Sequence, residues 1–180
     1  MIVGSIARRY AKALLQIGVA QKSYDDFAKE LERIRELVEE SRELGHVLSN
    51  PIFPLSERHQ VLAEVARRLA LSKIMRSFLA LLLDRGRIGA LDGIAREYRT
   101  LCDRQAGRLR ARVSSARPLD PGTELRLKSV LERRSGKTVI LEKRADPALI
   151  GGLVTQVGDM VYDGSVRTQL ERVREQLLAE

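Results

Sequence analysis

Apolar residues recur every three or four positions from the start of the chain to Cys102. This spacing places side chains on one face of an α-helix, and six such stripes predict six helices joined by short links. The stripes are, in chain order, Ile6, Tyr10, Ala13, Leu14 and Ile17; Tyr24, Phe27, Leu31, Ile34 and Val38; the short segment 43–49; Val61, Leu62, Val65 and Leu69; Ile74, Phe78, Leu81 and Leu82; and Leu91, Ile94, Tyr98 and Leu101. Helices of this length with short links favour a compact all-α bundle.

Local signals predict where several of these helices begin and end. Ser23, with Asp26 three positions later, predicts a capping box at the start of the second helix. Asn50-Pro51 ends the third helix, because the residue before a proline disfavours the helical conformation. Arg85-Gly86 ends the fifth, since glycine is the usual residue just past a helix.

After Gly107 the apolar residues no longer recur every three or four positions but at every second position. From Arg108 to Val113 an arginine alternates with an apolar residue, which predicts a strand with one face in water. A helix is then expected from Asp120-Pro121 to Ser135-Gly136, and strands over residues 138–142 and 153–162. Asp163-Gly164 is expected to end the last strand, and Ser165 to cap a closing helix whose stripe is Val166, Leu170, Val173 and Leu177.

The fold class expected from these patterns is α+β and mostly α. A six-helix bundle over residues 1–105 is followed by a small α/β sheet domain over residues 106–180, with the element order β-α-β-β-α and a boundary near residues 105–107. The chain has 180 residues, so it is long enough to form these two units without a disulfide or metal.

The net charge and the cysteine content limit the kinds of partner and compartment to be expected. The net charge is +8, which favours acidic partners without choosing among nucleic acid, an anionic membrane surface and another protein. Cys102 is the only cysteine, so no internal disulfide can form and a reducing compartment is expected. The longest apolar run, residues 78–83, is far shorter than a membrane span of about 20 residues, so a soluble protein is expected.

The inventory of reactive side chains argues against an enzyme. The chain has two histidines, His46 and His59, and neither lies in a nucleophile motif or at zinc-ligand spacing with Cys102. Gly151-Gly152 lacks the Lys-Ser/Thr of a phosphate-binding loop, so a structural role is favoured. We therefore predict no catalytic residue, no cofactor and no metal site.

Several segments together resemble a known family, the delta subunits of bacterial F-type ATP synthase, relatives of the mitochondrial oligomycin-sensitivity-conferral protein. The similarity covers essentially the whole chain. It rests on residues 7–14, Asn50-Pro51 with Arg58, Gly86-Arg87 with Leu91, Ile94 and Tyr98, Asp146-Pro147, Ile150-Gly151-Gly152, Gly158-Asp159, and Asp163-Gly164-Ser165-Val166-Arg167 with Leu170.

The resemblance implies a stator subunit without chemistry of its own. Such a subunit links the catalytic head to the membrane sector through the b subunits and resists rotor torque. The helical bundle would grip the N-terminal helix of an alpha subunit, and the C-terminal domain would hold the C-terminal ends of the b subunits. The complex would place the chain at the cytoplasmic face of the inner membrane.

Helices 1 and 5 carry more apolar residues than one bundle seam needs, and the family favours them as the alpha-subunit groove. The groove is predicted at Ala7, Tyr10, Ala11, Leu14, Phe78, Leu79 and Leu82. The stalk contact is predicted at Arg167, Leu170, Val173 and Leu177. The alternative, that all these apolar residues are ordinary core, stays open at this point.

Two further interpretations compete with a stator. Arg108, Arg110, Arg112 and Arg117 form a basic run that suits a small nucleic-acid-binding protein, although aromatic residues are only 4% of the chain and stacking platforms are scarce. The opening helix has no acidic residue before Asp25, as in a membrane-surface helix or a transit peptide. Near the other end, Arg167 is expected either to pair with Asp159 or to meet the stalk.

Overall fold

The architecture is taken from a computed structural model that describes residues 2–147, 149–158 and 160–178, with the side chains of residues 2, 3, 172, 173 and 176–178 excluded. Its helices and strands run in the order α1 (Ile2–Ala20), α2 (Tyr24–Glu40), α3 (Arg42–Ser49), α4 (Leu55–Arg68), α5 (Lys73–Asp84), a short 3-10 helix (Ile88–Ala90), α6 (Leu91–Gln105), β1 (Arg108–Ser115), α7 (Pro121–Ser135), β2 (Thr138–Ala145), β3 (Gly152–Val157), β4 (Met160–Ser165) and α8 (Val166–Leu178). The fold is α+β and mostly α.

The chain divides into two compact units between Cys102 and Asp103. The boundary predicted from the change in apolar spacing lies a few residues later, near residues 105–107. The last turn of α6 belongs to the second unit because Asp103 is buried there. Its carboxylate forms ion pairs with Arg108 and Arg110 at the start of β1. Helix α6 therefore continues beyond the boundary, and its last residues belong to the second unit.

The helical unit has one apolar core, to which every one of its helices contributes. The stripes predicted for α2 and α6 are confirmed at Phe27, Leu31, Ile34, Ile94 and Tyr98, all of which are buried. The Tyr98 hydroxyl donates to the carbonyl of Tyr24 at 3.1 Å, and burial raises the pKa of this phenol.

The stripe predicted for α1 is confirmed at Leu14 and wrong at Ala13 and Ile17. The buried face consists of Ala7, Ala11, Leu14 and Gly18, while Ala13 and Ile17 are exposed. Small residues face the core because neighbouring helices approach closely. A Cβ at Gly93 of α6 would lie 3.4 Å from the Cβ of Ala7, and one at Gly18 would lie 2.9 Å from Cα of Tyr24.

The capping box predicted at the start of α2 is not formed. Ser23 makes no side-chain cap bond, and the Asp26 carboxylate is paired with Lys29 at 3.1 Å. A different carboxylate supports a helix start elsewhere. Glu30 of α2 is buried and accepts hydrogen bonds from the amide and hydroxyl of Ser72, the N-cap of α5.

The second unit contains a four-stranded sheet in the order β2-β1-β3-β4. β1 is parallel to β2 and antiparallel to β3. Residues 153–162 were expected to form one strand, which is wrong. They fold as a hairpin, β3–β4, that turns at Gly158, with Val157 opposite Met160. Gly158 has φ +60°, a conformation that glycine adopts at little cost, and it therefore ends β3.

The ends of α7 are as expected. Asp120 Oδ1 accepts from the Thr123 amide at 2.9 Å, Pro121 is the first helical residue, and Gly136 is left-handed with φ +65°. The apolar face of β1 is also confirmed, since Ala111 and Val113 are buried beside Val139 of β2.

Candidate partner-binding surfaces

Helices α1 and α5 meet through an aromatic pair. The rings of Tyr10 and Phe78 pack edge to face, with centroids 6.3 Å apart and an interplanar angle of 69°. Phe78 is buried beneath this contact, and Tyr10 is partly exposed. The two helices that the sequence singles out therefore contact each other at Tyr10 and Phe78.

The structure changes which predicted groove residues can reach a partner. Ala7, Ala11, Leu14, Leu79 and Leu82 are at most 2% exposed and belong to the bundle core. A helix docked on the surface of this unit cannot contact them, so their part is to hold α1 and α5 in place. Of the seven predicted residues, Tyr10 and, beneath it, Phe78 lie at the surface seam.

Other apolar residues extend that seam in both directions, and we call them the α1/α5 strip. The strip consists of Ile6, Tyr10, Ala13 and Ile17 on α1 and Ile74, Phe78 and Leu81 on α5. Ile17 and Leu81 are each 43% exposed. Both sets follow the three-and-four spacing of one helix face, and the Tyr10–Phe78 contact joins them. The sequence contains this signal, since Ile17 and Leu81 belong to the predicted stripes, but the predicted groove omits them.

The basic residues of α1 lie mainly away from the strip, because Arg8 and Lys12 fall on the other side of the helix. Helix α1 carries Arg8, Arg9 and Lys12 and no acidic residue. The one carboxylate of α5, Asp84, is engaged by His59, whose Nε2 lies 2.7 Å from Asp84 Oδ1. An exposed apolar strip of this kind suits the apolar face of an amphipathic helix.

A second apolar surface lies where α8 begins, and we call Ile150, Val166 and Leu170 the α8 patch; all three are exposed. The amide of Val166 donates to the Gly151 carbonyl at 3.0 Å, which holds Ile150 beside the helix start. Leu170 is one of the predicted stalk residues, and Arg167 is also exposed. The side chains of Val173 and Leu177 lie outside the described residues, as does Asp159, the predicted partner of Arg167.

Ser165 caps α8, as expected, and Asp163 supports this cap. Asp163 Oδ1 accepts from the Ser165 amide and Oδ2 from the Thr168 hydroxyl, both at 2.8 Å. Ser165 Oγ accepts from the Thr168 amide at 3.3 Å, so Ser165 caps α8. However, Asp163-Gly164 does not end the strand, because both residues lie within β4.

Gly152 has a structural reason for being glycine. Its φ is +84°, and a Cβ there would lie 2.3 Å from the carbonyl oxygen of Gly164 across the β3–β4 ladder. This close approach supports the structural interpretation of Gly151-Gly152. In the part of the chain that the structure describes, no three His, Cys, Asp or Glu side chains are grouped so as to hold a metal ion.

The basic run on β1 is largely neutralised within its own unit. Arg108 and Arg110 share the Asp103 carboxylate, and Arg110 Nη1 lies 3.1 Å from Glu142 Oε1. Arg112 Nε lies 3.5 Å from the other oxygen of Glu142. These guanidinium groups are occupied by carboxylates and would have to give them up to bind phosphates.

None of the described helices is both long enough and apolar enough to cross a membrane. The α1 helix, which is basic on one side, packs its small residues into the bundle core instead.

Comparisons with known proteins agree over nearly the whole chain. Residues 6–177 match the family model described as ATP synthase delta (OSCP) subunit. The chain is 44% identical over 177 residues to ATP synthase subunit delta of Anaeromyxobacter sp. (strain Fw109-5), covering 98% of this chain and 99% of that protein. It is 42% identical over 175 residues to the protein of the same name from Geobacter sp. (strain M21), covering 97% of each.

A solved structure shows the same fold. A chain of the Toxoplasma gondii mitochondrial ATP synthase hexamer, determined by cryo-electron microscopy, superposes with a TM-score of 0.72. The superposition covers 97% of this chain and 98% of that one at 23% sequence identity.

Proposed function

Because this chain belongs to the ATP synthase delta (OSCP) subunit family, and is thus a non-catalytic peripheral-stalk subunit of F-type ATP synthase, we propose that its two units bind different parts of that complex. The helical unit binds the catalytic head and the sheet unit binds the stalk. The alternative of a nucleic-acid-binding protein finds no support in the family or in the relatives.

The α1/α5 strip is the surface that receives the N-terminal helix of an alpha subunit. Its apolar residues continue over several turns of both helices, which matches the face of an amphipathic helix. The observation that carries this assignment is the Tyr10–Phe78 contact, together with the exposure of Ile17 and Leu81 further along the same two helices. Exposed apolar residues in one row are the usual mark of an interaction surface.

The sheet unit holds the C-terminal ends of the b subunits through the α8 patch. Ile150, Val166 and Leu170 are exposed together there, and Arg167 lies between two of them in the sequence. In the sequence the predicted stripe continues to Val173 and Leu177.

Two separate contacts give the stator its strength. An interface of about 1,600 Å² ranges from micromolar to picomolar affinity, so one contact does not guarantee a permanent joint. Once one unit is bound, the other binds at an effective concentration on the order of millimolar. The head is then held against rotor torque, with the chain peripheral to the membrane at its cytoplasmic face.

The test is binding of the full chain to a synthetic alpha-subunit N-terminal peptide, measured by calorimetry. Ile17→Asp with Leu81→Asp places two carboxylates in the strip, and we expect the affinity to fall by at least about tenfold. Ile52→Asp is the matched control, because Ile52 is 82% exposed in the same unit but belongs to the loop after α3. Unchanged affinity in the folded double variant would move the head site elsewhere.

A further inference from the structure

We propose that the free edge of β4 receives an extended, acidic segment of another ATP synthase subunit as a fifth strand of the sheet. The proposal rests on the proposed function only in assigning the partner to the ATP synthase. The α8 patch and the α1/α5 strip play no part in it, because both present side chains, whereas the edge of β4 presents backbone groups.

The two edges of the sheet differ in how they are protected. β2 forms one edge and carries Glu142, Lys143 and Arg144 in succession, charges of the kind that discourage pairing with another strand. β4 forms the other edge and contains no Lys, Arg or Pro. Its residues 160–164 are all exposed, and Val161 is 59% exposed at its centre.

The only charge on β4 does not guard the edge. Both carboxylate oxygens of Asp163 accept hydrogen bonds from the start of α8, one from the Ser165 amide and one from the Thr168 hydroxyl. Three apolar residues precede Asp163: Met160, Val161 and Tyr162. An exposed apolar edge strand of this kind is a template for pairing with another chain.

The register shows which backbone groups are available. Val157 and Met160 close a hairpin with a two-residue turn, and the residues of such a closing pair bond to each other. Bonding alternates along an antiparallel pair, so Tyr162 also faces β3 while Val161 and Asp163 direct their N–H and C=O groups outward. An added strand would bond to these two residues.

Charge identifies the chemistry of the segment. The Arg134 guanidinium lies 5.7 Å from the centre of the Tyr162 ring, on one face of the β4 edge. Among the described residues, Arg134 and its neighbour Arg133 form no ion pair. A residue paired opposite Tyr162 would project on the same face, close to Arg134, and a carboxylate there would be favoured.

Amide hydrogen exchange resolved to single residues tests the proposal. Exchange is compared between the purified chain and the assembled ATP synthase. We expect the amides of Val161 and Asp163 to slow by about tenfold or more in the complex, because each gains a hydrogen bond. The amides of Met160 and Tyr162 already bond to β3 and should change less.

Two pairs of variants sharpen the test. Val161→Pro removes the outward N–H at an edge position that tolerates proline, whereas Val161→Ala keeps it. In the complex, the Asp163 amide should lose its protection from exchange in Val161→Pro and keep it in Val161→Ala. Arg134→Glu should reduce that protection more than Arg126→Glu, which makes the same charge change two turns earlier on α7. Exchange at Ala111 and Val113 reports whether the sheet is still folded.

The outcomes separate this proposal from the proposed function. A chain that enters the complex normally while Val161 and Asp163 exchange as fast as in isolation overturns the added strand alone. Protection that grows with concentration of the purified chain identifies a second copy as the occupant and also overturns it. A chain that fails to join the complex, or whose sheet unit binds the head peptide, contradicts the proposed function instead.

Discussion

The two units of the molecule use their apolar residues in opposite ways. Among the side chains that the structure describes, all but three of the buried apolar residues lie in the helical unit; the exceptions are Ala111, Val113 and Val139. Most of the exposed large apolar side chains lie in the sheet unit, although it is the shorter of the two. The helical unit is therefore stabilised by its own apolar core, whereas the described part of the sheet unit buries few apolar side chains and relies more on backbone pairing and ion pairs.

The largest expected loss of stability comes from a substitution in the core of the helical unit. Leu82 is fully buried, and Leu82→Asp places a carboxylate among apolar side chains, which costs about 4 kcal/mol or more. We expect loss of cooperative helical unfolding by circular dichroism. Leu81→Asp is the neighbouring control at an exposed site and should change the free energy of unfolding by less than about 1 kcal/mol. Equal effects would contradict the assignment of core and surface on α5.

The next effect concerns the backbone of the sheet unit. Gly152→Ala adds a Cβ 2.3 Å from the Gly164 carbonyl oxygen at a φ of +84°, so β3 and β4 must separate. The cost is about 3 kcal/mol, and it should be confined to the sheet unit in hydrogen exchange. Gly158→Ala, also at positive φ but with open space around it, should cost only about 1 kcal/mol. If both variants behave alike, the close approach is unimportant.

A smaller effect is expected from the buried ion pairs. Asp103→Asn removes the charge that Arg108 and Arg110 share and leaves both guanidinium groups without it. Because both arginines are about one quarter exposed, solvent offsets part of the loss, and we expect about 2 kcal/mol. Urea denaturation with a probe in each unit measures it. A loss confined to the helical unit would show that Asp103 belongs there.

These comparisons also show which features the sequence can predict. The stripes of α2 and α6 and both ends of α7 follow from residues whose local chemistry and packing agree, as at Asp120, Pro121 and Gly136. Part of the α1 stripe was misassigned because large apolar side chains are buried by preference only where helices leave room for them. At Gly18 and Gly93 the neighbouring residues come so close that small residues face the core instead.

The β3–β4 hairpin and the exposed residues of the α1/α5 strip were harder to predict than the helix ends. Residues 153–162 alternate without interruption through Gly158, and a single turn glycine is a weak signal inside a strand-like pattern. The groove predicted on α1 and α5 stays a prediction, and of its seven residues only Tyr10 and Phe78 belong to the α1/α5 strip. Ile17 and Leu81 were assigned to the core, because periodicity does not distinguish the centre of a buried face from its edge.

The smallest effect is a pH dependence in the helical unit. Hydrogen bonds from Arg67 and Arg68 lower the pKa of Glu64 to about 2. A carboxyl whose pKa is lower in the folded state stabilises the fold above its unfolded pKa of about 4.3, and the contribution is lost as the pH falls toward 2. The site is exposed to solvent, so the loss is small. Glu64→Gln should flatten that part of the stability curve, and an unchanged curve would contradict the pairing.

The central claim is that this chain couples the catalytic head mechanically to the stalk. It is tested most directly by ATP-driven proton pumping in vesicles that contain the ATP synthase depleted of this subunit. We predict that ATP hydrolysis continues while pumping is lost, that the wild-type chain restores pumping, and that the Ile17→Asp, Leu81→Asp double variant does not. Pumping at the full rate without the subunit would contradict the account.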